Sequence, residues 1–199
     1  MKKIPTLFLR EEVSRNKALA RNEVNQECAW VLAGEGCATR KWDGTCCLVR
    51  GGKLYKRLEW DVKNGAPPTT WLHHDFDPSA TSGHGWVLVG DGPEDWMHRA
   101  ALARAVDDRG DELRDGSYEL IGPRIGKNPE CVSECVLVPH GRDVLLFAPR
   151  TFSGIRQHLQ EAQMEGIVWH HHDGRMAKIK RRDFGIQWPV RCNALRPPT

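Results

Sequence analysis

Apolar and polar residues alternate along several short stretches of the chain, and this pattern predicts β-strands. Residues 45–49 and 53–60 are predicted as two strands joined by a turn at Gly51 and Gly52. Short apolar runs predict further strands, which lie at 29–32, 86–89, 118–121, 135–138, 144–147, 166–169 and 176–181. Most of these strands follow one another through short turns, so hairpins are expected to dominate the fold.

Two segments carry a helical pattern. Residues 93–106 begin with a proline in the first turn and end before Gly110, as helices often do. A second helix is expected to be capped by Ser153, and its apolar positions follow at spacings of four and three residues: Ile155, Leu159 and Ala162. Residues 10–27 are rich in charge and are also compatible with a helix.

The connections between these elements are mostly turns. His140 and Gly141 are expected to join strands 135–138 and 144–147 as a hairpin, and Asp173 and Gly174 to reverse the chain before residue 176. Residues 61–85 are rich in Pro, Gly, His and Asp and are predicted as a long loop. No alternation of strand and helix is visible, so we predict an α+β fold with antiparallel sheets flanked by helices. A chain of 199 residues is expected to form a single domain.

Composition changes this picture little. Hydrophobic residues make up 40%, charged residues 28%, and the net charge of +3 is too small for a protein that binds polyanions through a basic tail. Seven cysteines, an odd number, without an apolar leader predict free thiols in a reducing, cytoplasmic compartment. No apolar stretch reaches eighteen residues, so no membrane contact is expected. The three histidines at 170–172 are predicted at an exposed hairpin tip, with metal or phosphate binding as the alternative.

Several charged residues stand at the ends of the predicted strands. Lys41 lies two positions before the turn pair Asp43 and Gly44, and Lys178 and Lys180 share one face of a strand. Two like charges side by side are unfavourable unless an anion lies between them. If that face is solvated, the pair only adds solubility, whereas in a cleft it would bind phosphate.

Four segments carry a resemblance to a known superfamily. They are RKWDGTCC (40–47), GSYELIGPRIGKNPE (116–130), PHG (139–141) and EGIVWHHHDGRMAKIKRRDFG (165–185). Their order resembles the motifs shared by ATP-dependent DNA ligases, RNA ligases and mRNA-capping enzymes. The closest resemblance, over about residues 28–188, is to the small RNA ligase 1 family of vertebrates, scattered bacteria and viruses.

The resemblance implies a ligase-type nucleotidyltransferase fold and a reaction in three steps. ATP would transfer AMP to Lys41, the AMP would pass to a 5′-phosphate of RNA, and a 3′-hydroxyl would then expel it. Lys41 would form a phosphoramidate. A free lysine has a pKa of about 10.4, so the pKa of Lys41 would have to be lowered by Lys178, Lys180 and a bound metal.

The resemblance also implies a role for each remaining position. Lys178 and Lys180 would contact the α-phosphate and the leaving pyrophosphate, and Glu165 would bind Mg²⁺, with Mn²⁺ as an alternative. Nucleotide contacts are expected from six residues: Thr39 at the adenine edge, Asp43 beside the lysine, Gly44 by close backbone approach, Arg57 as a basic strand residue, Glu119 at the ribose, and His140. Val138 shares a strand face with His140, and either of them would stack on adenine.

Only nineteen residues follow Lys180, too few for the OB-fold that DNA ligases and capping enzymes carry beyond this point. We therefore expect no C-terminal OB domain and favour an RNA ligase. The alternatives are a guanylyltransferase or a DNA nick ligase on the same scaffold, or a nucleotide or RNA sensor without catalysis.

Overall fold

The structure, a computed structural model, describes residues 4–15, 17–61, 63, 72–73, 82–107 and 113–189. In chain order its elements are β1 (Phe8–Ser14), β2 (Lys17–Val24), α1 (Ala29–Leu32), β3 (Cys37–Lys41), β4 (Thr45–Arg50), β5 (Lys53–Asp61), β6 (Leu72–His73), β7 (Ser82–Leu88), α2 (Trp96–Asp107), β8 (Gly116–Ile121), β9 (Val136–Pro139), α3 (Phe152–Glu161), β10 (Gly166–His170) and β11 (Met176–Lys180). All strand pairs within its three sheets are antiparallel, which confirms the predicted α+β class with antiparallel sheets.

The described residues divide into two compact units. The first comprises residues 43–140, and the second comprises 4–42 together with 141–189. The chain passes from one unit to the other after Trp42 and again after His140. The single nucleotidyltransferase domain predicted from the sequence stays a prediction.

The second unit contains a three-stranded sheet in the order β11–β10–β3 and the two-stranded sheet β1–β2. One face of the three-stranded sheet is its core, because Ile167, Trp169 and Ile179 have no solvent exposure. Helix α3 covers this core with Ile155 and Leu159, which are also fully buried. Side-chain alternation then places the intervening residues of the three strands on the opposite face.

The first unit is built on a six-stranded sheet in the order β6–β7–β5–β4–β8–β9. Its core face carries Cys47, Val49, Tyr118, Leu120 and Leu137, and Ala101 of α2 packs in the same cluster. The hairpin of β4 and β5 through Gly51 and Gly52 is as predicted, because both glycines have the positive φ that the turn requires.

Two predictions near the amino terminus are wrong. Residues 10–15 and 17–27 contribute to the hairpin β1–β2 and a short 3-10 helix instead of an α-helix, since the two strands pair antiparallel and leave most of their charged side chains exposed. Residues 29–32 form the helix α1 and no strand. An apolar run of four residues has no readable period, and here Trp30 and Val31 are buried while Leu32 is 43% exposed.

Later predictions also need correction. Strand β9 pairs with β8, and Val144 bridges Thr39 of β3, so the hairpin expected around His140 and Gly141 does not form. The cap of α3 is Thr151, whose hydroxyl accepts a hydrogen bond from the Gly154 amide, and not Ser153. The predicted loop 61–85 contains β6 and the beginning of β7, because β7 pairs with β5 and β6 pairs with β7. The residues between β6 and β7 lie outside the described ones.

The cysteines and the hydropathy of the helices give two further findings. Cys131 is disulfide-bonded, which corrects the expectation of free thiols for that residue. Five other cysteines, at 28, 37, 46, 47 and 135, are not. Within the described part of the chain, the helices are too short and too polar to span a bilayer.

Candidate active site

The face of the three-stranded sheet opposite its core carries the predicted catalytic lysines. The register pairs Gly166 of β10 with Lys41 on one side and with Lys180 on the other. One step along, Val168 pairs with Thr39 and with Lys178. We call this surface, with Lys41, Thr39, Val168, Lys178 and Lys180, the lysine face. The three lysines therefore come together from two strands that are far apart in the sequence.

Glu165, the residue before β10, joins two of these lysines. Its Oε2 accepts a very short hydrogen bond from Nζ of Lys41, and its Oε1 accepts from Nζ of Lys180 at 2.5 Å. Glu165 is only 5% exposed. A nearly buried carboxylate with two ammonium partners is strongly held, so this acid fixes both lysine side chains in place. Its predicted role as a metal ligand is compatible with the oxygen chemistry and stays a prediction.

The approach of the two lysines depends on a glycine. A Cβ atom on Gly166 would lie 2.1 Å from the carbonyl oxygen of Ile179. Any side chain here would push β10 and β11 apart. Gly166 thus keeps the backbone of β11 close enough for Lys180 to reach the Glu165 carboxylate.

Lys178 has a perturbed pKa. It is lowered from 10.5 to about 8, chiefly by burial and then by the charges of Lys180 and Lys41, while Asp183 and Glu165 act in the opposite direction. The sequence predicted mutual depression of pKa among these lysines, with Lys41 as the group affected. The lowered pKa is found at Lys178, whereas the Lys41 ammonium group pairs with the Glu165 carboxylate. A lowered pKa of Lys41 stays a prediction.

Thr39 is 3% exposed, and its hydroxyl is already engaged. It donates to the carbonyl of Val168 at 3.2 Å and lies 3.1 Å from Nε2 of His170. The histidine run is therefore only partly an exposed tip. His170 belongs to β10, and His171 is buried with Nε2 2.7 Å from the Glu35 carboxylate, whereas His172 is exposed in the turn that reverses the chain.

The remaining predicted site residues lie in the first unit. The amide of Gly44 donates to Oε1 of Glu119 at 2.9 Å, and Nε2 of His140 lies 2.9 Å from Oε2 of Glu119. The Asp43 amide donates to Oε1 of Glu130 at 2.8 Å. A Cβ on Gly44 would lie 2.1 Å from the Leu120 carbonyl oxygen, so this position also requires glycine.

Arg57 does not join this hydrogen-bonded group. It is exposed and pairs in register with Trp86 of β7. Because Lys56 pairs with Cys47, alternation puts Arg57 on the same sheet face as Cys46 and Glu119. Val138 pairs with Glu119 on that face and is buried, whereas His140 is exposed. That one of the two stacks on adenine stays a prediction.

Sequence reasoning missed three supporting residues. Asp183 is buried and accepts from the backbone amide of Lys180 at 2.8 Å. Asp143 accepts from the indole of Trp42 at 2.7 Å, and the Trp42 carbonyl accepts from Nζ of Lys41 at 3.2 Å. Ser117 lies 2.9 Å from Nδ1 of His140. Asp183 follows the lysine strand by three residues, a capping spacing that could have indicated it; the other two depend on tertiary contacts.

Comparison with known proteins agrees with the motifs. The RNA ligase 1 family model matches residues 106–197, which include Glu119, Glu165, Lys178 and Lys180. RNA ligase 1 of Danio rerio is 27% identical over 94% of this chain and 82% of its own length. RNA ligase 1 of Mus musculus is 25% identical and that of Rattus norvegicus 26%, each over 95% of this chain and 82% of the relative. These similarities confirm the predicted resemblance of the chain to the RNA ligase 1 family.

Proposed function

We propose that this protein is an ATP-dependent RNA ligase that joins 5′-phosphate and 3′-hydroxyl ends through a lysyl-AMP and an RNA adenylate. The observation that carries the proposal is the lysine face, where Lys41, Lys178 and Lys180 converge around Glu165. The similarity of the chain to proteins named RNA ligase 1 supports RNA as the substrate.

Lys41 is the proposed nucleophile. Glu165 and the Trp42 carbonyl hold its Nζ in one position, so the amine is oriented before ATP arrives. Attack on the α-phosphorus forms the N–P bond, breaks the bond to pyrophosphate and releases a proton from the amine. The Glu165 carboxylate is suited to accept that proton, or to keep its hydrogen bond to Lys180 while Lys41 moves.

Lys178 and Lys180 are proposed to stabilise the phosphates. The lowered pKa of Lys178 reflects burial beside two cations, and an anionic phosphate would reverse that disadvantage. Charge that builds on the α-phosphate and pyrophosphate would thus meet ammonium groups already in place. Thr39, Asp43, Gly44, Arg57, Glu119 and His140 remain the proposed nucleotide contacts, as the family resemblance implies.

Glu165 fits a Mg²⁺ ion in the chemistry of its donor atoms, since Mg²⁺ takes one or two carboxylates, phosphate oxygens and water. The ion, or Mn²⁺ in its place, would be held by Glu165 and the phosphates. It would supply neutralisation of phosphate charge. Each oxygen of Glu165 accepts one hydrogen bond from a lysine and has a second lone pair for the ion.

Incubation with α-labelled ATP tests the first step. The wild type should retain label as an acid-labile adenylate, whereas Lys41→Ala and Lys41→Arg should retain none. Lys53→Ala, a change of an exposed lysine at the start of β5, is the matched control and should label normally. Retention of label by folded Lys41→Ala would refute the assignment of the nucleophile.

Substrate choice tests the later steps. RNA with 5′-phosphate and 3′-hydroxyl ends should be sealed, and removal of either group should stop sealing. Comparison of GTP with ATP separates a guanylyltransferase, and nicked DNA separates a DNA ligase. Tight ATP binding without label on the protein would indicate a sensor.

A further inference from the structure

Cys46, Glu119 and His140 form a mixed cluster of side chains on the sheet face of the first unit that is opposite its core. The ligand atoms of these three side chains all lie within 4.8 Å of one another. Cys46 and Glu119 are direct partners in the β4–β8 ladder, and His140 follows the last residue of β9. We call these three residues the Cys46 cluster. Within the described residues, no other group of three metal-binding side chains comes as close.

Neighbouring groups orient two of these ligands. Ser117 Oγ lies 2.9 Å from Nδ1 of His140, and the Gly44 amide donates to Oε1 of Glu119 at 2.9 Å. Nε2 and Oε2 then face each other at 2.9 Å. Two atoms with lone pairs at this distance need a proton or a cation between them. Histidine ligands of metals are commonly fixed in this way, with the second ring nitrogen bonded to another group.

The thiol on this face is that of Cys46 and not that of its neighbour. Cys47 is fully buried in the core, and burial, with the charges of Cys46 and Glu119, raises its pKa well above the usual range. Cys46 is only partly buried, and the His140 side chain is 30% exposed. An ion can therefore reach the cluster from solvent.

We propose that the Cys46 cluster binds a zinc-class transition metal through Sγ of Cys46, Oε2 of Glu119 and Nε2 of His140. Thiolate, imidazole and carboxylate are the ligands of Zn²⁺, whereas Mg²⁺ avoids sulfur. Three protein ligands leave one tetrahedral position for water or another donor. The site is distinct from the proposed Mg²⁺ at Glu165, which has only oxygen donors.

Binding exchanges protons for the ion. The metal would take the place of the proton between His140 and Glu119, and the Cys46 thiol would lose its proton as the sulfur–metal bond forms. No electron is transferred, and the released protons go to solvent.

A consequence for activity rests on the proposed function. Glu119 and His140 are also proposed nucleotide contacts, so a metal in the Cys46 cluster would compete with ATP. Zn²⁺ at low concentration should then inhibit formation of lysyl-AMP in the presence of Mg²⁺. This inhibition should be relieved by excess ATP or by a chelator.

Cobalt binding tests the site without any activity assay. The full chain, stripped with chelator and kept reduced, is titrated with Co²⁺ and watched for the thiolate-to-cobalt absorption band of a tetrahedral site. The wild type and Cys37→Ser, which changes an exposed thiol in the second unit, should give one equivalent of this band, and Zn²⁺ should bleach it. Cys46→Ser should abolish the band, and Ser117→Ala should weaken affinity about 10-fold or more.

Two outcomes would overturn the proposal: absence of the band in folded wild type, or a band that survives in Cys46→Ser. His140→Ala is a second variant at an exposed position and should lose tetrahedral binding without loss of the fold. If cobalt binds as described but the protein forms no lysyl-AMP, the metal site stands and the proposed function fails. If lysyl-AMP forms and cobalt does not bind, the proposed function stands and the metal site fails.

Discussion

Replacement of Lys178 by methionine should make the folded protein more stable at neutral pH. The pKa of Lys178 is about 8 in the folded protein and 10.5 in the reference state. The unfolded chain therefore holds its proton more tightly, and keeping this lysine charged at pH 7 costs folding free energy. Methionine has similar length and no charge, so it removes the cost while it retains the packing.

The magnitude follows from the shift. Each pKa unit corresponds to about 1.4 kcal/mol, so the full cost below pH 8 is roughly 3 kcal/mol. Partial solvent exposure of the side chain screens part of it, and we expect a gain of about 2 kcal/mol at pH 7. As pH rises from about 8 to 10.5, Lys178 of the wild type loses its proton and the advantage of methionine disappears.

Urea denaturation at pH 7 and near pH 10 measures both variants. Lys178→Met should unfold at higher urea than the wild type at pH 7, and the difference between them should shrink to less than about 1 kcal/mol near pH 10. Lys53→Met, at an exposed lysine, is the matched control and should change stability by less than about 0.5 kcal/mol at either pH. A lower midpoint for Lys178→Met, or an equal gain at both pH values, would refute the reasoning.

Three more changes test the second unit. Glu165→Gln should slow lysyl-AMP formation about 100-fold, because the amide holds the two lysines less firmly; a normal single-turnover rate would contradict this. Gly166→Ala should lower the unfolding free energy by about 1 to 3 kcal/mol, whereas Gly83→Ala, where nothing lies within 4 Å of the added carbon, should be neutral in the same thermal melt. Asp143→Ala should cost about 1.5 to 3 kcal/mol in urea unfolding and slow adenylylation, because the Trp42 indole loses its carboxylate partner; an unchanged midpoint and rate would count against that anchor.

Alternation predicted part of the lysine face from the sequence alone. Lys178 and Lys180 had to share one side of a strand, and the register confirms that they do. The contact of Lys41 with Glu165 could not be predicted in the same way, since these residues are 124 positions apart and meet only because β3 and β10 are neighbours. The family motifs indicated both residues but did not indicate the hydrogen bond between them.

Errors occurred where local signals were ambiguous. Residues 8–24 carry many good helix formers, yet tertiary pairing makes them a hairpin. The short run at 29–32 offered no period to distinguish helix from strand. Ser117 and Cys46 gave no sequence signal, because their importance depends on a histidine that β9 brings beside them.

The alternating pattern of β11 also constrains how the chain can vary in length. Ile179 is fully buried between Lys178 and Lys180, and β11 follows β10 through the five residues 171–175. If one residue were deleted there and β11 slid by one step to compensate, the side chains of Lys178 and Lys180 would turn into the core. Ile179 would then turn to the opposite face. A library of insertions and deletions at this turn should therefore return active clones with even changes in preference to odd ones.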